Sequence, residues 1–148
     1  MPTRTIVVLE GDQTGQEVLD ESLRVLSPEV TRVPTEFIRF NLSLANRRAT
    51  QNQIVCEAAA ALAQTGLGLK AATITPEGKG DVGSPNAILR EAMDGKVILR
   101  TGRRIPGIRP VAGVHAPIAV VRMAVDDAYN AKEWRETVGS DEIAYRTE

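Results

Sequence analysis

Between Ser84 and Tyr129 one serine, one asparagine, three arginines and one tyrosine fall at spacings that suit capture of a small polycarboxylate. Ser84, Asn86 and Arg90 stand at i, i+2 and i+6, Arg100 follows ten residues later, and Arg122 precedes Tyr129 by seven. An arginine presents a planar fork of donors that grips a carboxylate through two parallel charge-assisted hydrogen bonds. Several forks converging on one pocket would fix both the position and the orientation of a multiply charged acid. A chain with eighteen Lys and Arg residues also carries arginines that are merely solvated, and Arg103 and Arg104 read that way. Spacing alone leaves a shared anion site and scattered surface arginines equally open.

These residues need elements to hold them. Ser84-Pro85 reads as the N-cap and first residue of a helix with Ile88, Leu89, Ala92 and Met93 inward and Gly95 as its stop. Arg90 then lies on the helix that Ser84 caps, whose exposed backbone N–H groups favour an anion. Arg100 and Arg122 each close an apolar strand run, Lys96 to Leu99 and Pro117 to Arg122, where binding residues of open α/β sheets collect. Asp126 to Trp134 reads as a helix entered through an acidic turn.

Upstream, Thr5 to Leu9 is a strand that feeds Gly11-Asp12-Gln13-Thr14-Gly15, and a helix follows with Val18, Leu19, Ser22, Leu23 and Leu26 on one face. The glycines lack the spacing of a dinucleotide fingerprint and read as a tight turn needing positive φ. Glu36 to Phe40 is a second strand. Thr50 and Gln53 form a capping-box signature for a helix carrying Ile54, Val55, Ala58 and Leu62, which Gly66 and Gly68 end. Leu69 to Thr75 is a short strand. Glu77 to Gly83 is glycine-rich, but Glu77 and Asp81 would repel a phosphate, so it reads as a mobile loop beside a site. The alternation predicts an α/β fold with a mostly parallel sheet flanked by helices, in one unit spanning residues 1–148.

Composition limits the partners. With 43% apolar and 25% charged residues, the 148-residue chain can bury a core, and a net charge of -1 supplies no global field for nucleic acid or an anionic membrane. No apolar run is long enough to span a bilayer, and no signal-peptide pattern precedes the first strand, which predicts a cytoplasmic protein. Cys56 is the single cysteine and His115 the single histidine, so zinc has no ligand set. Asp12, Asp81, Asp126 and Asp127 read as turn, cap or surface residues, and no metal ligand is assigned.

The run Leu69-Lys70, Thr73 to Pro76, Ser84-Pro85-Asn86-Ala87-Ile88-Leu89-Arg90, Arg100, and Val120-Val121-Arg122 through Asp126-Asp127-Ala128-Tyr129 resembles the first half of the isocitrate/isopropylmalate dehydrogenase family. Gly11 to Val18 is similar to that family's opening segment, so the resemblance spans nearly the whole chain. A serine and an asparagine ahead of the first arginine look like the isocitrate branch, since the isopropylmalate branch usually places apolar residues there. The resemblance implies that Ser84 and Asn86 bind the extra carboxylate of an isocitrate-like substrate, and that Arg90, Arg100 and Arg122 hold its malate-like core. Lys70 would border the site, Thr75 and Asn86 would lie near the nicotinamide, and Tyr129 would be catalytic, assisting proton transfer after loss of carbon dioxide. The implied reaction is NAD- or NADP-dependent oxidative decarboxylation helped by magnesium or manganese.

Departures from the pattern are Ala71-Ala72 for the family's Gly-Pro, Gln13 and Gln16 in the opening motif, and Met123-Ala124 after the third arginine. In relatives the proton-transfer lysine, metal-binding aspartates and adenosine loop come from regions later than the position of Glu148. The expectation is therefore a part or subunit of a dehydrogenase that is not self-sufficient for catalysis, working as a homo-oligomer or with a partner subunit. The alternative is a non-catalytic relative that binds a di- or tricarboxylate as a sensor or assembly subunit.

Overall fold

A computed structural model of the protein describes residues 2–78, 80–111, 113–114, 116–125 and 133–146. They form two compact units, Met1–Asp94 and Gly95–Glu148.

The first unit has the order β1 (Arg4–Glu10), α1 (Gln13–Val25), α2 (Pro28–Thr31), β2 (Thr35–Asn41), α3 (Leu44–Ala49), α4 (Gln53–Thr65), β3 (Gly68–Lys70) and α5 (Pro85–Ala92). Its sheet is fully parallel with strand order β2-β1-β3. The central strand β1 is covered on both faces, which is why it reads as an unbroken apolar run. Val7 and Leu9 point into a cluster with Leu42, Val55, Ala58, Ala59, Leu62 and Leu89. Val8 points the other way, to Leu19 and Leu23 of α1 and to Ala71. The parallel sheet flanked by helices agrees with the expected fold class.

Several local expectations fail for identifiable reasons. On α1 only Leu19 and Leu23 are buried, while Val18 is 67% exposed, because the helix meets the Val8 side of a single central strand. The capping box does not form. Thr50 instead terminates α3, its hydroxyl donating to the Asn46 carbonyl at 2.8 Å, and Asn52 caps α4 with a left-handed φ of 64°, a conformation asparagine tolerates. Gly66 does end α4, whereas Gly68 opens β3. The third strand stops at Lys70 rather than Thr75, because the chain then passes against the turn after β1: the Asp12 amide donates to Ala72 O and the Ile74 amide to the Asp12 carboxylate.

Gly11 and Gly15 are required by that passage and not by positive φ, which belongs instead to Gln13. A Cβ at Gly15 would sit 2.6 Å from the Ala72 carbonyl oxygen, and one at Gly11 would collide with the same oxygen.

The second unit contains β4 (Val97–Gly102) and β5 (Ile118–Met123), paired antiparallel, and the antiparallel hairpin of β6 (Glu133–Val138) and β7 (Asp141–Arg146). The expected helix from Asp126 to Trp134 lies outside the described residues for 126–132, and its end is corrected: Glu133 and Trp134 begin β6. Trp134 pairs with Tyr145 across the hairpin, their rings stacked with centroids 5.2 Å apart. Such an aromatic cross-strand pair outweighs the weak helical pattern of the preceding residues.

Candidate carboxylate site

The helix α5 forms as its first two residues dictate. Ser84 is extended, its hydroxyl accepts from the Asn86 amide at 3.3 Å, and Pro85 occupies the first helical position. Leu89 is buried against the β1–α4 core, which fixes the rotation of the helix. Asn86 and Arg90, one turn apart, then share a face and line a pocket of about 330 Å³ together with Lys70. Leu9, Leu62 and Met93 form its apolar wall.

Lys70 closes β3 and donates from Nζ to Ala71 O at 2.9 Å and Thr73 Oγ1 at 3.0 Å. Burial holds its ammonium below the ordinary lysine range, the charges of Arg47 and Arg90 push it the same way, and Asp12 opposes them. The Lys70 charge is thus borne at a cost that an incoming anion would relieve. Because the folded pKa is depressed, the cost is present at neutral pH and disappears as pH rises through the folded value toward the ordinary 10.5. Urea unfolding of wild type and Lys70→Met from pH 7 to 10.5 should show wild type gaining stability relative to the variant as pH rises. A difference independent of pH would contradict this electrostatic account.

Asp12 proves structural. Its carboxylate accepts from the Leu44 amide and the Ile74 amide, both at 2.9 Å, tying the turn after β1 to α3 and to the segment after β3. Asp81 is engaged by Arg48 at 2.6 Å, and that pairing leads the causes that hold its carboxyl below the usual range. Arg47 was not singled out from sequence, yet it is fully buried. Within Leu44–Ala49 no apolar periodicity distinguishes it from its exposed neighbour Arg48.

Thr75 is exposed in the extended segment beyond β3. Arg100 and Arg122 lie in the second unit, and the strand register makes them partners: Arg100 faces Val120 and Ile98 faces Arg122, so all four share one face of the β4–β5 pair with the arginines on its diagonal. Diagonal neighbours of this kind sit roughly 7–8 Å apart, close enough for two guanidinium groups to flank one polycarboxylate. Arg103 is exposed, as expected of a surface residue, and Arg104 donates to Ala116 O at 3.0 Å. Tyr129, like Asp126 and Asp127, lies outside the described residues.

The described residues do not fit a divalent ion, since no three Asp, Glu, His or Cys side chains gather among them. The glycine turn does not offer a phosphate cradle either, because the Ala72 carbonyl already occupies the space that Gly11 and Gly15 leave. No helix among the described residues is long and apolar enough to cross a membrane.

The family model described as isocitrate/isopropylmalate dehydrogenase matches residues 5–148. The chain is 33% identical to the mitochondrial NADP isocitrate dehydrogenase of Aspergillus niger, over 86% of this chain and 27% of that protein. It is 32% identical to the mitochondrial NADP isocitrate dehydrogenase of Saccharomyces cerevisiae, over 95% of this chain and 35% of the relative. Against the NADP isocitrate dehydrogenase of Sphingobium yanoikuyae it is 33% identical, over 72% of this chain and 32% of that enzyme. The chain therefore spans about a third of the length of the curated relatives it matches. With its parallel sheet, its Ser84-capped helix and the match over almost its full length, this chain belongs to the isocitrate/isopropylmalate dehydrogenase family.

Proposed function

We propose that the chain supplies the substrate-gripping part of an NADP-dependent oxidative decarboxylase acting on isocitrate or a similar 2-hydroxy polycarboxylate. The observation that carries this reading is the pocket in which Lys70, Asn86 and Arg90 meet, with Lys70 held charged against burial and against Arg47 and Arg90. A cationic, partly desolvated pocket with one amide donor is suited to a carboxylate. NADP, rather than NAD, is supported by the names of the relatives. The roles of Thr75 beside the nicotinamide and of Tyr129 in proton transfer rest on the family resemblance, as does the use of magnesium or manganese. A cytoplasmic location is supported by the name of the Sphingobium yanoikuyae relative, which carries no mitochondrial label, while the Aspergillus niger and Saccharomyces cerevisiae relatives are mitochondrial.

Residues 1–148 are proposed to form one α/β unit of a larger dehydrogenase fold, completed by further chain or by association with a second copy. An apolar face supports this: Val97, Leu99, Val121 and Met123, opposite the Arg100–Arg122 face, are each more than half exposed. The 148-residue chain alone is expected to sediment as an oligomer and to produce no reduced cofactor from isocitrate. A stable monomer at micromolar concentration or sustained turnover would contradict those two points.

The substrate reading is tested by selectivity. Ser84 also caps α5, so it is best replaced by glycine, which keeps most of a cap's worth, together with Asn86→Leu. Calorimetry should show isocitrate weakened about tenfold and malate much less, because only the tricarboxylate places a charged group against these positions. Equal losses for the two acids would remove Ser84 and Asn86 from the substrate site.

A further inference from the structure

Arg47 is the single fully buried charged side chain among the described residues, and the carboxylate reading gives it no contact with the ligand, only a charge near Lys70. Burial lowers its pKa, the charges of Asp12 and Asp81 oppose that shift, and Arg48 adds to it. An arginine remains charged under such conditions, so its burial is sustained only by well-aimed acceptors. Those acceptors are three backbone carbonyls: Nε donates to Leu42 O at 3.0 Å, Nη1 to Gly83 O at 2.9 Å, and Nη2 to Ile74 O.

The two far acceptors have a shared meaning. Ile74 directly precedes Thr75, and Gly83 directly precedes Ser84, so one guanidinium ties together both ends of the segment between β3 and α5. Other contacts act along the same segment. Asn52 Nδ2 donates to Val82 O at 2.7 Å, Arg48 pairs with Asp81, and Asp12 accepts from the Ile74 amide. The Arg48–Asp81 pair is partly exposed and of a class worth little, whereas the Arg47 side chain is buried, its bond to Leu42 O fully so and those to Ile74 O and Gly83 O in part. The expected mobile loop, Glu77 to Gly83, is therefore anchored at its far end, Gly83, and just ahead of its start, at Ile74, by a buried group that leaves the protein's interior only at high cost.

We propose that Arg47 is a positioning residue, a clamp that holds Ile74 and Gly83 together and so keeps the polar start of α5 in register with Lys70 across the pocket. Its consequence for ligands rests on the carboxylate reading above. If the clamp loosens, Ser84 and Asn86 drift from Lys70, and the isocitrate-specific contacts fail before the general ones. Lysine keeps the charge and the stem, but its compact ammonium cannot span Leu42, Ile74 and Gly83 as the planar fork does.

The test compares wild type, Arg47→Lys and Arg48→Ala in the full 148-residue chain. Amide exchange at Ile74, Asp81, Val82 and Asn86 should quicken at least tenfold in Arg47→Lys relative to the core amides of Val7 to Leu9. Isocitrate affinity should fall about tenfold, with malate affinity changed less than threefold. Arg48→Ala should quicken only Asp81 and Val82 and leave both affinities within threefold. Should Arg47→Lys fail to fold, wild type still decides the matter by NMR. The Nη protons of Arg47 should give separate signals, because bonds to fixed carbonyls stop rotation of the guanidinium nitrogens, and one averaged signal would overturn the clamp. Unchanged exchange in Arg47→Lys would overturn it as well, and loosened exchange with equal losses for isocitrate and malate would overturn the positioning role. If wild type binds neither acid at millimolar concentration, the substrate reading fails, and the exchange and NMR results alone decide whether Arg47 holds the segment.

Discussion

Gly11→Ala is expected to destabilise the protein by about 3 kcal/mol, the upper end of what overpacking commonly costs. The obstacle is the Ala72 carbonyl oxygen, with the Ala71 Cβ also only 2.8 Å away, so no flexible side-chain tip can yield. Relief requires the segment after β3 to leave the turn after β1, breaking the Asp12 amide to Ala72 bond and disturbing the Ile74 amide on the Asp12 carboxylate. A loss of this size corresponds to a fall in melting temperature on the order of 10 °C for a chain of this length. Gly78→Ala is the control, since a Cβ there meets nothing within 4 Å and its φ is not positive. Thermal unfolding of the two variants checks the point, and similar melting temperatures would show that the close passage is not as described.

Arg122→Ala is expected to weaken isocitrate binding roughly ten- to a hundredfold. Charge-assisted hydrogen bonds contribute ~1.5–3 kcal/mol each, and the loss of one such contact translates into that range of affinity. The β4–β5 register places Arg122 on the same face as Arg100, so the effect should be shared: Arg100→Ala should show a loss of similar order. Arg103→Ala, one residue past the end of β4 and exposed, should change affinity less than threefold. Arg90→Ala should behave like Arg122→Ala, and Lys70 in that variant should be less depressed, because one of the positive charges opposing its ammonium is gone.

Where local chemistry and tertiary environment agree, the sequence is readable. Thr5 to Leu9 is apolar and β-branched, and it becomes a strand buried on both faces. Ser84-Pro85 has one sensible local conformation, an N-cap followed by the first turn, and α5 begins there. Asn86 and Arg90 share a helix face by period alone, and the structure places them in one pocket with Lys70. What escaped sequence reasoning depends on contacts between distant segments. The helix α3 is short and carries no apolar stripe, so nothing marks it as an element, and Arg47 is internal because carbonyls from the β2–α3 connection and from the segment between β3 and α5 converge on it. The glycines at 11 and 15 are steric rather than conformational, a distinction set by Ala72 some sixty residues away. The β6–β7 hairpin is not legible because Trp134 to Val138 has no apolar/polar alternation, Glu136 sharing a face with Trp134 and Val138, and the preceding sequence has a helix-like acidic start.

The proposed function requires that a polycarboxylate be held by specific cations rather than by general positive charge. The most direct measurement is a calorimetric titration of isocitrate into wild type, Arg90→Ala, Arg122→Ala and Arg103→Ala under one buffer and salt condition. Saturable binding to wild type, roughly ten- to hundredfold weaker in Arg90→Ala and Arg122→Ala and nearly unchanged in Arg103→Ala, is expected. Equal losses in all three variants, or no heat of binding to wild type at millimolar isocitrate, would contradict it.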